Sequence, residues 1–502
     1  MKATGVRLRE SVDRLPRPFQ GSYGISLIVA VGALVPFIIL TTAYDLFQKQ
    51  VGANLGMGME ALRIISALST AAYAFGAMFG GDLIQRFHQR HLFLIVEAIF
   101  IGGCFLGATA SGAVAFGASN VIIGMSTGLM LVIALPPVIR RFPPERMPIT
   151  TAAIDIGFFG AVTAGPLIGG AAAATSSWRW LYAGFGGIGV LVWLTALFTL
   201  PSQPPPNPDQ RFDRGAIALA LAATALPFWA SAELTRHTFH SYWFMVPLAV
   251  GFACLVAMLL AEYHQDEPLA PVKPMWHTVP LVGTMVAMVG GGAYVSFLSL
   301  AEKLVPQQNG PLQIGLSFWP QVVGVILTSI LLGALVRTRW LPIFALIGML
   351  LLVAGGALLI WAGPNDSSIL WLSAAGLLGL GAGATVSPGL WLAGFSLPSK
   401  MVGRTFALVE LVRSEADFIL APVMLQVARV ASGGGKPNPA GVTHAIWVTI
   451  LVTLAATSFI VAVYLAGGAG LPVPDLKAWL EENRTAVHSP ALLATFRNSE
   501  NP

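Results

Sequence analysis

Fourteen predominantly apolar stretches, each twenty to twenty-eight residues long, recur between residues 25 and 468 of this 502-residue chain. A helix needs about 20 such residues to cross about 30 Å of hydrocarbon. A water-soluble fold would have to hide all of this surface in cores, and single cores stop growing near about 250–300 residues. Charge is correspondingly scarce. Only 10% of residues are charged and 55% are hydrophobic, where a soluble domain carries about 25% charged; mean hydropathy is +0.74. The stretches therefore predict spanning helices over 25–47, 61–82, 91–110, 114–137, 150–173, 179–200, 214–233, 241–263, 279–303, 312–335, 340–362, 368–395, 402–428 and 442–468. The 54 glycines and 34 prolines suit helices packed in lipid, where neighbouring helices re-satisfy freed backbone groups and small residues allow close approach.

The net charge of +5 and pI near 9.3 read as a cytoplasmic-loop bias, not as a nucleic-acid surface. With an even number of spans, 20 of the 28 Lys and Arg fall on the side of the termini, 7 fall on the other side and Arg413 lies inside a span. That asymmetry predicts both termini in the cytoplasm. The run at 25–47 is too long for the apolar region of a cleaved leader, so it reads as the first span. The expected organisation is a basic N-terminus (1–24), six spans (25–200), a polar, Pro-rich linker (201–213), two spans (214–263), six more (279–468) and a tail (469–502). In the tail, Leu476, Trp479 and Leu480 mark one short amphipathic helix, after which the chain is expected to fray. Cys104 and Cys254 both lie in apolar runs and build no disulfide framework.

Ionisable residues within spans need partners, water or a function, because an isolated charge at mid-bilayer costs a few kcal/mol or more. The candidates are Asp45, Glu97, Asp155, Glu233, Glu302, Lys303, Glu410, Arg413, Glu415 and Asp417. Glu410, Arg413 and Asp417 are spaced i, i+3, i+7 and share one helix face. A static ion network would use that arrangement, and so would a site whose carboxylates change proton occupancy as it opens to each side. Asp155 is expected to pair with the basic loop at Arg86 and Arg90, or to line an inner cavity. Tyr294 and Trp319 are the aromatic candidates for a solute cavity. His88/His91 and His237/His240 have helical spacing but no evident third ligand, so no metal site is expected. Gly379-Leu380-Gly381-Ala382-Gly383 lies in an apolar run with no strand before it, and reads as helix packing, not a dinucleotide loop.

On the fifth span stands Gly160-x4-Gly165-Pro166-Leu167-Ile168-Gly169-Gly170. Gly165 and Gly169 form a small-xxx-small pair, and Pro166 removes one helical hydrogen bond. Arg141-Phe142-Pro143-Pro144-Glu145-Arg146 precedes this motif and Ser177-Trp178-Arg179-Trp180 follows it. Together they resemble the fifth-helix antiporter motif of the major facilitator superfamily, and more narrowly the fourteen-span drug/proton antiporter family. Gly379-x-Gly381-x-Gly383 through Pro388, Leu397-Pro398, Gly403 and Arg413 are similar to that family's twelfth and thirteenth helices. The loop after the second span departs from the family's G-x-L-x-D-R-x-G-R-K. It keeps Gly81, Leu83, Arg86 and Arg90 but has Gln85 and His88, with Asp82 nearby as a substitute acid. Asn120 stands where the fourth span usually carries arginine.

The resemblance implies an all-α polytopic membrane protein with the major facilitator fold, two six-helix bundles of inverted repeats plus two additional helices. It implies proton-coupled export of amphipathic or cationic small molecules across the bacterial cytoplasmic (inner) membrane. The proton-coupling candidates are Asp45, Asp155, Glu410, Arg413 and Asp417, and the resemblance adds weight to Asp45, Glu410 and Asp417, since related antiporters use acids on the first and thirteenth helices. No cofactor is expected beyond the proton, and no nucleic-acid partner. The lipid bilayer and a small-molecule substrate are the partners, with room for a periplasmic adaptor protein. A transporter dedicated to one metabolite, lipid or siderophore stays open, as does a receptor or scaffold without flux. Enzymatic chemistry is not expected, for no nucleophile, metal cage or phosphate loop of the Gly-x4-Gly-Lys type stands within the spans.

Overall fold

The structure is a computed structural model that describes residues 17–202, 204–205, 207–208, 212–234, 236–265, 268–305, 310–365, 367–492 and 494. Residues 1–16 of the basic N-terminus, Arg211 of the linker and residues 495–502 of the tail lie outside the described residues, and with them six of the basic residues counted on the terminal side. Regular structure among the described residues is helical apart from one isolated antiparallel bridge, His277 to Ala491.

The first half comprises α1 (Tyr23–Gly32), α2 (Val35–Leu55), α3 (Met59–Arg86), α4 (Gln89–Thr109), α5 (Ala113–Arg141), α6 (Met147–Ala174) and α7 (Trp178–Thr199). A hairpin of α8 (Arg214–Glu233) and α9 (Tyr242–His264) follows. The second half holds α10 (Val272–Met275), α11 (Thr278–Leu304), α12 (Pro311–Leu316), α13 (Trp319–Leu335), α14 (Leu341–Asn365), α15 (Ser368–Gly383), α16 (Val386–Phe395), α17 (Val402–Ala431) and α18 (Pro439–Gly467), with α19 (Leu476–Glu481) in the tail.

All fourteen expected stretches are helical, with ends displaced by a few residues. Three are interrupted where the sequence reading drew them continuous. The first breaks between α1 and α2, the tenth between α12 and α13, and the twelfth between α15 and α16. Pro36, Pro320 and Pro388 stand just inside the restarting helices, where a missing N–H costs nothing because those first donors have no partner in the helix. By length and composition, thirteen described helices can cross a membrane. The remaining long helix, α17, has 30 residues and fails on composition because it carries the ionisable cluster.

Within the first half α3 packs on α5, α4 on α5 and α7, and α2 on α6; within the second, α11 packs on α16, α17 and α18, and α15 on α13 and α14. The halves meet along two seams, α6 against α12 and α13, and α3 against α17. Helix α8 touches both α3 and α17, so the hairpin covers the second seam from outside. Asp213 caps α8 by accepting from the Ala216 N–H at 2.9 Å and from Gln265 Nε2 at 2.6 Å. Those hydrogen bonds, the backbone one first, hold its carboxyl below the usual range.

The two ends of the described chain share one face. Tyr23 packs edge-on against Phe142 and under Arg146, and α19 touches the turn Pro144–Arg146. As far as residue 491 the tail is held in place beyond its short helix, where the sequence predicts fraying. Trp479 is fully buried, donates to the Leu397 carbonyl at 2.8 Å and meets Phe395 edge-on. Further along, the Ala486 and Val487 N–H groups donate to the Phe395 carbonyl, and Thr278 N–H donates to that of Pro490. These backbone bonds hold the strand-like stretch after α19 against the ends of α11 and α16.

Candidate functional site

Helix α17 brings Glu410, Arg413 and Asp417 onto one buried face, as their spacing predicts. Arg413 donates from Nε to Glu410 Oε2 at 3.0 Å, and its terminal nitrogens reach Glu410 Oε1 and Asp417 Oδ2. Each charge is thereby paired, which offsets much of its desolvation. From the other half, Tyr73 Oη donates to Glu410 Oε1 at 2.8 Å. Asp417 Oδ1 is buried with no hydrogen-bond partner among the described residues. It faces Gly291 of α11, where a Cβ would overlap the carboxylate, so that glycine makes the space the acid occupies.

Two cavities lie on this face. The larger is lined by Phe37, Thr41, Tyr73, Tyr294, Arg413, Asp417 and Phe418 among others. The smaller is lined by Leu135, Ser387, Trp391, Phe406 and Glu410. Phe158 and Phe159 of α6 line both. An aromatic pair thus divides a chamber holding Asp417 from one holding Glu410, with Arg413 5.8 Å from the centroid of the Phe158 ring. The larger chamber is bounded mainly by apolar and aromatic side chains, and the network beside it, two carboxylates to one guanidinium, carries a formal excess of one negative charge.

The other expected site residues scatter. Asp155 pairs with neither Arg86 nor Arg90; it is fully buried and accepts from Ser329 Oγ at 2.8 Å and from Ser387 Oγ. Arg86 instead donates to Asp82, one turn away on its own helix, at 2.5 Å and stacks over Phe212 of the linker at 3.9 Å. The fully buried Arg90 donates to the Leu197 carbonyl at 2.7 Å. A four-residue helical offset places Asp82 on the arginine, so the acid missing at Gln85 is replaced in space. Asp45 is exposed and bonds Gln48 of its own helix at 2.8 Å; it does not join the α17 network. Tyr294 lines the larger chamber and donates to Gln321 at 2.6 Å. Trp319, the first residue of α13, is 48% exposed and lines neither chamber.

The glycine motif does what small-residue spacing implies. A Cβ at Gly165 would overlap the Thr42 hydroxyl, one at Gly169 the Ala43 backbone, and one at Gly170 the Pro311 carbonyl. Gly170 thus meets α12 across the first seam, and Gly315 returns the contact against the Pro166 carbonyl. Gly160 has room for a side chain. Gly81 has only ordinary contacts with Arg404 and the Leu269 carbonyl, and Leu83 is half-buried. Asn120, at the position of the missing arginine, accepts from Tyr182 at 2.9 Å. Sequence reasoning missed Tyr73, Ser329 and Ser387, hydroxyls whose partners lie 174 to 337 residues away in the chain. Glu97 and Glu415 are buried with no hydrogen-bond partner among the described residues; Gly189 makes room for the former.

Membrane-length helices in two halves around buried, charged chambers define a multi-pass membrane architecture. The sequence pattern of the Major Facilitator Superfamily matches residues 22–422. The chain belongs to that superfamily. It is 26% identical over 342 residues to an uncharacterized MFS-type transporter, YubD, of Bacillus subtilis, covering 66% of each chain. It is 23% identical over 357 residues to a Multidrug resistance protein B homolog of Mycobacterium tuberculosis, covering 69% of this chain and 64% of that one. A similar match, 23% over 299 residues and 59% and 58% of the two chains, is to the Multidrug export protein EmrB of Haemophilus influenzae. The chain spans about two thirds or less of the length of these relatives. In solved structures, the human organic anion transporter MFSD10 has the same fold at TM-score 0.61 and 17% identity, over 87% of this chain and 100% of that one. The proton:xylose symporter XylE matches at TM-score 0.59 and 14% identity, over 88% and 96%. The chain is thus a member of the superfamily whose relatives include proteins named for multidrug resistance and multidrug export.

Proposed function

We propose that this chain is a fourteen-span, proton-coupled exporter of amphipathic organic cations, with both termini in the cytoplasm and its place in the bacterial inner membrane. The observation that carries this reading is the buried Glu410–Arg413–Asp417 network beside the larger aromatic chamber, with one Asp417 oxygen unbonded among the described residues. Counting α17 as a span makes the number even and places 20 basic residues on the terminal side against 7 on the other; the charges of Glu410, Arg413 and Asp417 are tolerated because each faces a partner or a chamber, not lipid.

The excess negative charge selects a cation, and the aromatic walls select an apolar body. A cation against Asp417 requires the carboxylate ionised. Proton uptake at Asp417 removes the attraction and leaves Arg413 to Glu410 alone. Proton and substrate thus exclude one another at one group, which is the requirement for antiport. Glu410 in the second chamber gives the proton a place beyond the Phe158–Phe159 partition. Alternating access follows if the halves rock about the two seams. Multidrug-export relatives support the direction. A periplasmic adaptor remains a compatible partner of the face opposite the termini.

The test is flux of a lipophilic cation such as ethidium in proteoliposomes with an imposed pH gradient. The parent should accumulate it against its gradient. Asp417→Asn and Glu410→Gln should each abolish proton-driven flux while the protein still reaches the membrane. Wild-type flux in both variants would end the coupling role of the network.

A further inference from the structure

Asp155 stands apart from the α17 network. It is a fully buried carboxylate on α6 whose hydrogen bonds all cross the first seam, to Ser329 on α13 and Ser387 on α16. No cation pairs with it among the described residues. The elements packed against α6 carry as titratable or charged groups Tyr23 on α1; Tyr44, Asp45 and Lys49 on α2; Arg140 and Arg141 on α5; Glu145 and Arg146 in the turn before it; and Arg179 and Tyr182 on α7. None of these bonds it, and α12, α13, α15 and α16 carry none.

The Ser329 hydroxyl has one hydrogen and two acceptors in reach, Asp155 Oδ2 at 2.8 Å and the Val325 carbonyl at 2.7 Å. Both protonation states of Asp155 are therefore accommodated. With the carboxylate ionised, Ser329 and Ser387 both donate to it. With a proton on Oδ2, the acid donates to Ser329 Oγ, and the Ser329 hydrogen turns to Val325. Hydronium gives up its proton and becomes water, one O–H bond forms on the acid, and only a hydroxyl rotates. What changes is the strength of the tie. Hydrogen bonds to a charged acceptor are about twice as strong as neutral ones. One turn from Ser329, a Cβ at Gly333 would be 3.0 Å from that of Ala152, so the seam is close-packed where the tie acts.

We propose that Asp155, Ser329 and Ser387 form a second proton-binding site, a latch that holds the first seam shut when ionised and loosens it when protonated. The proposal rests on the proton-coupled reading above and adds a proton site that is separate from Asp417. Asp155 acts by positioning the two halves, not by touching substrate.

The experiment places spin labels at Glu145→Cys and Arg339→Cys, exposed positions on opposite halves of the terminal face, with Cys104 and Cys254 replaced by Ser. The interlabel distance is followed against pH in the reconstituted full chain, alongside proton-driven ethidium flux. The parent should show a pH-dependent distance change. Asp155→Asn, which cannot ionise, should lose that change and sit in the loosened distribution at every pH. Asp155→Glu should restore a transition, Ser329→Ala should shift its midpoint, and Asp417→Asn should leave it in place. A parental transition in Asp155→Asn, or loss of the transition in Asp417→Asn, overturns the separate latch even if flux stays proton-driven. Absence of both proton-driven flux and a pH response in the parent would instead sink the antiport reading beneath it.

Discussion

Along the α6 seam the halves approach backbone to backbone, with Gly170 against Pro311, Gly315 against Pro166 and Gly333 against Pro148. Along the α3/α17 seam they are held by side chains. Tyr73 reaches Glu410, the Gly403 backbone lies under Pro136 and Val132, and Phe228 of α8 packs tilted against Phe418 at 5.2 Å. Near the face opposite the termini the hairpin ties both halves, through Arg236 to Glu60 and through Arg429 to the Leu234 carbonyl at 3.1 Å. Close packing is short-ranged and indifferent to pH, whereas carboxylates and their partners respond to one proton. The comparison teaches that the second seam carries a network of paired charges, while the first is a fitted surface with a single carboxylate set into it.

The largest expected effect concerns the charged seam. Arg413→Met leaves two carboxylates buried without their cation and should cost about 3–5 kcal/mol of stability, read by thermal unfolding in detergent. Neutralising all three residues together, as Gln, Met and Asn, should recover much of that loss but no proton-driven flux. Full stability of the single variant would show that the carboxylates do not depend on the arginine. Tyr73→Phe removes a donor to a charged acceptor and should cost about 1.5–3 kcal/mol. If the melting temperature stays put, the cross-seam bond contributes nothing.

On the fitted surface, Gly165→Leu or Gly169→Leu should overpack α2 against α6, cost about 1–3 kcal/mol and stop turnover while ethidium binding survives. Normal exchange in both would show that close approach is dispensable. The smallest effect lies outside both seams. Asp213→Ala should cost about 1 kcal/mol through loss of the α8 cap. Because that carboxyl is held low in the fold, its contribution is complete above the ordinary value of about 3.9 and fades as pH falls through the lowered one. The parent and variant stability curves should therefore converge only in acid.

What the sequence by itself determined is what depends on local pattern. Apolar runs of bilayer length located every long helix, because an unpaired backbone cannot cross lipid and its length is set by the hydrocarbon. Helical period put Glu410, Arg413 and Asp417 on one face, and glycine spacing marked the contact surface of α6. Tertiary structure decided which acid meets which partner. Asp155 found two serines instead of arginines, Asp82 took the place of an acid missing at Gln85, and Trp319 stayed out of both chambers. It also pinned a tail that composition left loose, through a tryptophan whose pocket belongs to α16 and the loop behind it. The reason is one of range. Spacing along a helix fixes neighbours three or four residues apart, but a hydroxyl 174 residues away becomes a partner only when two halves of the chain are folded and pressed together.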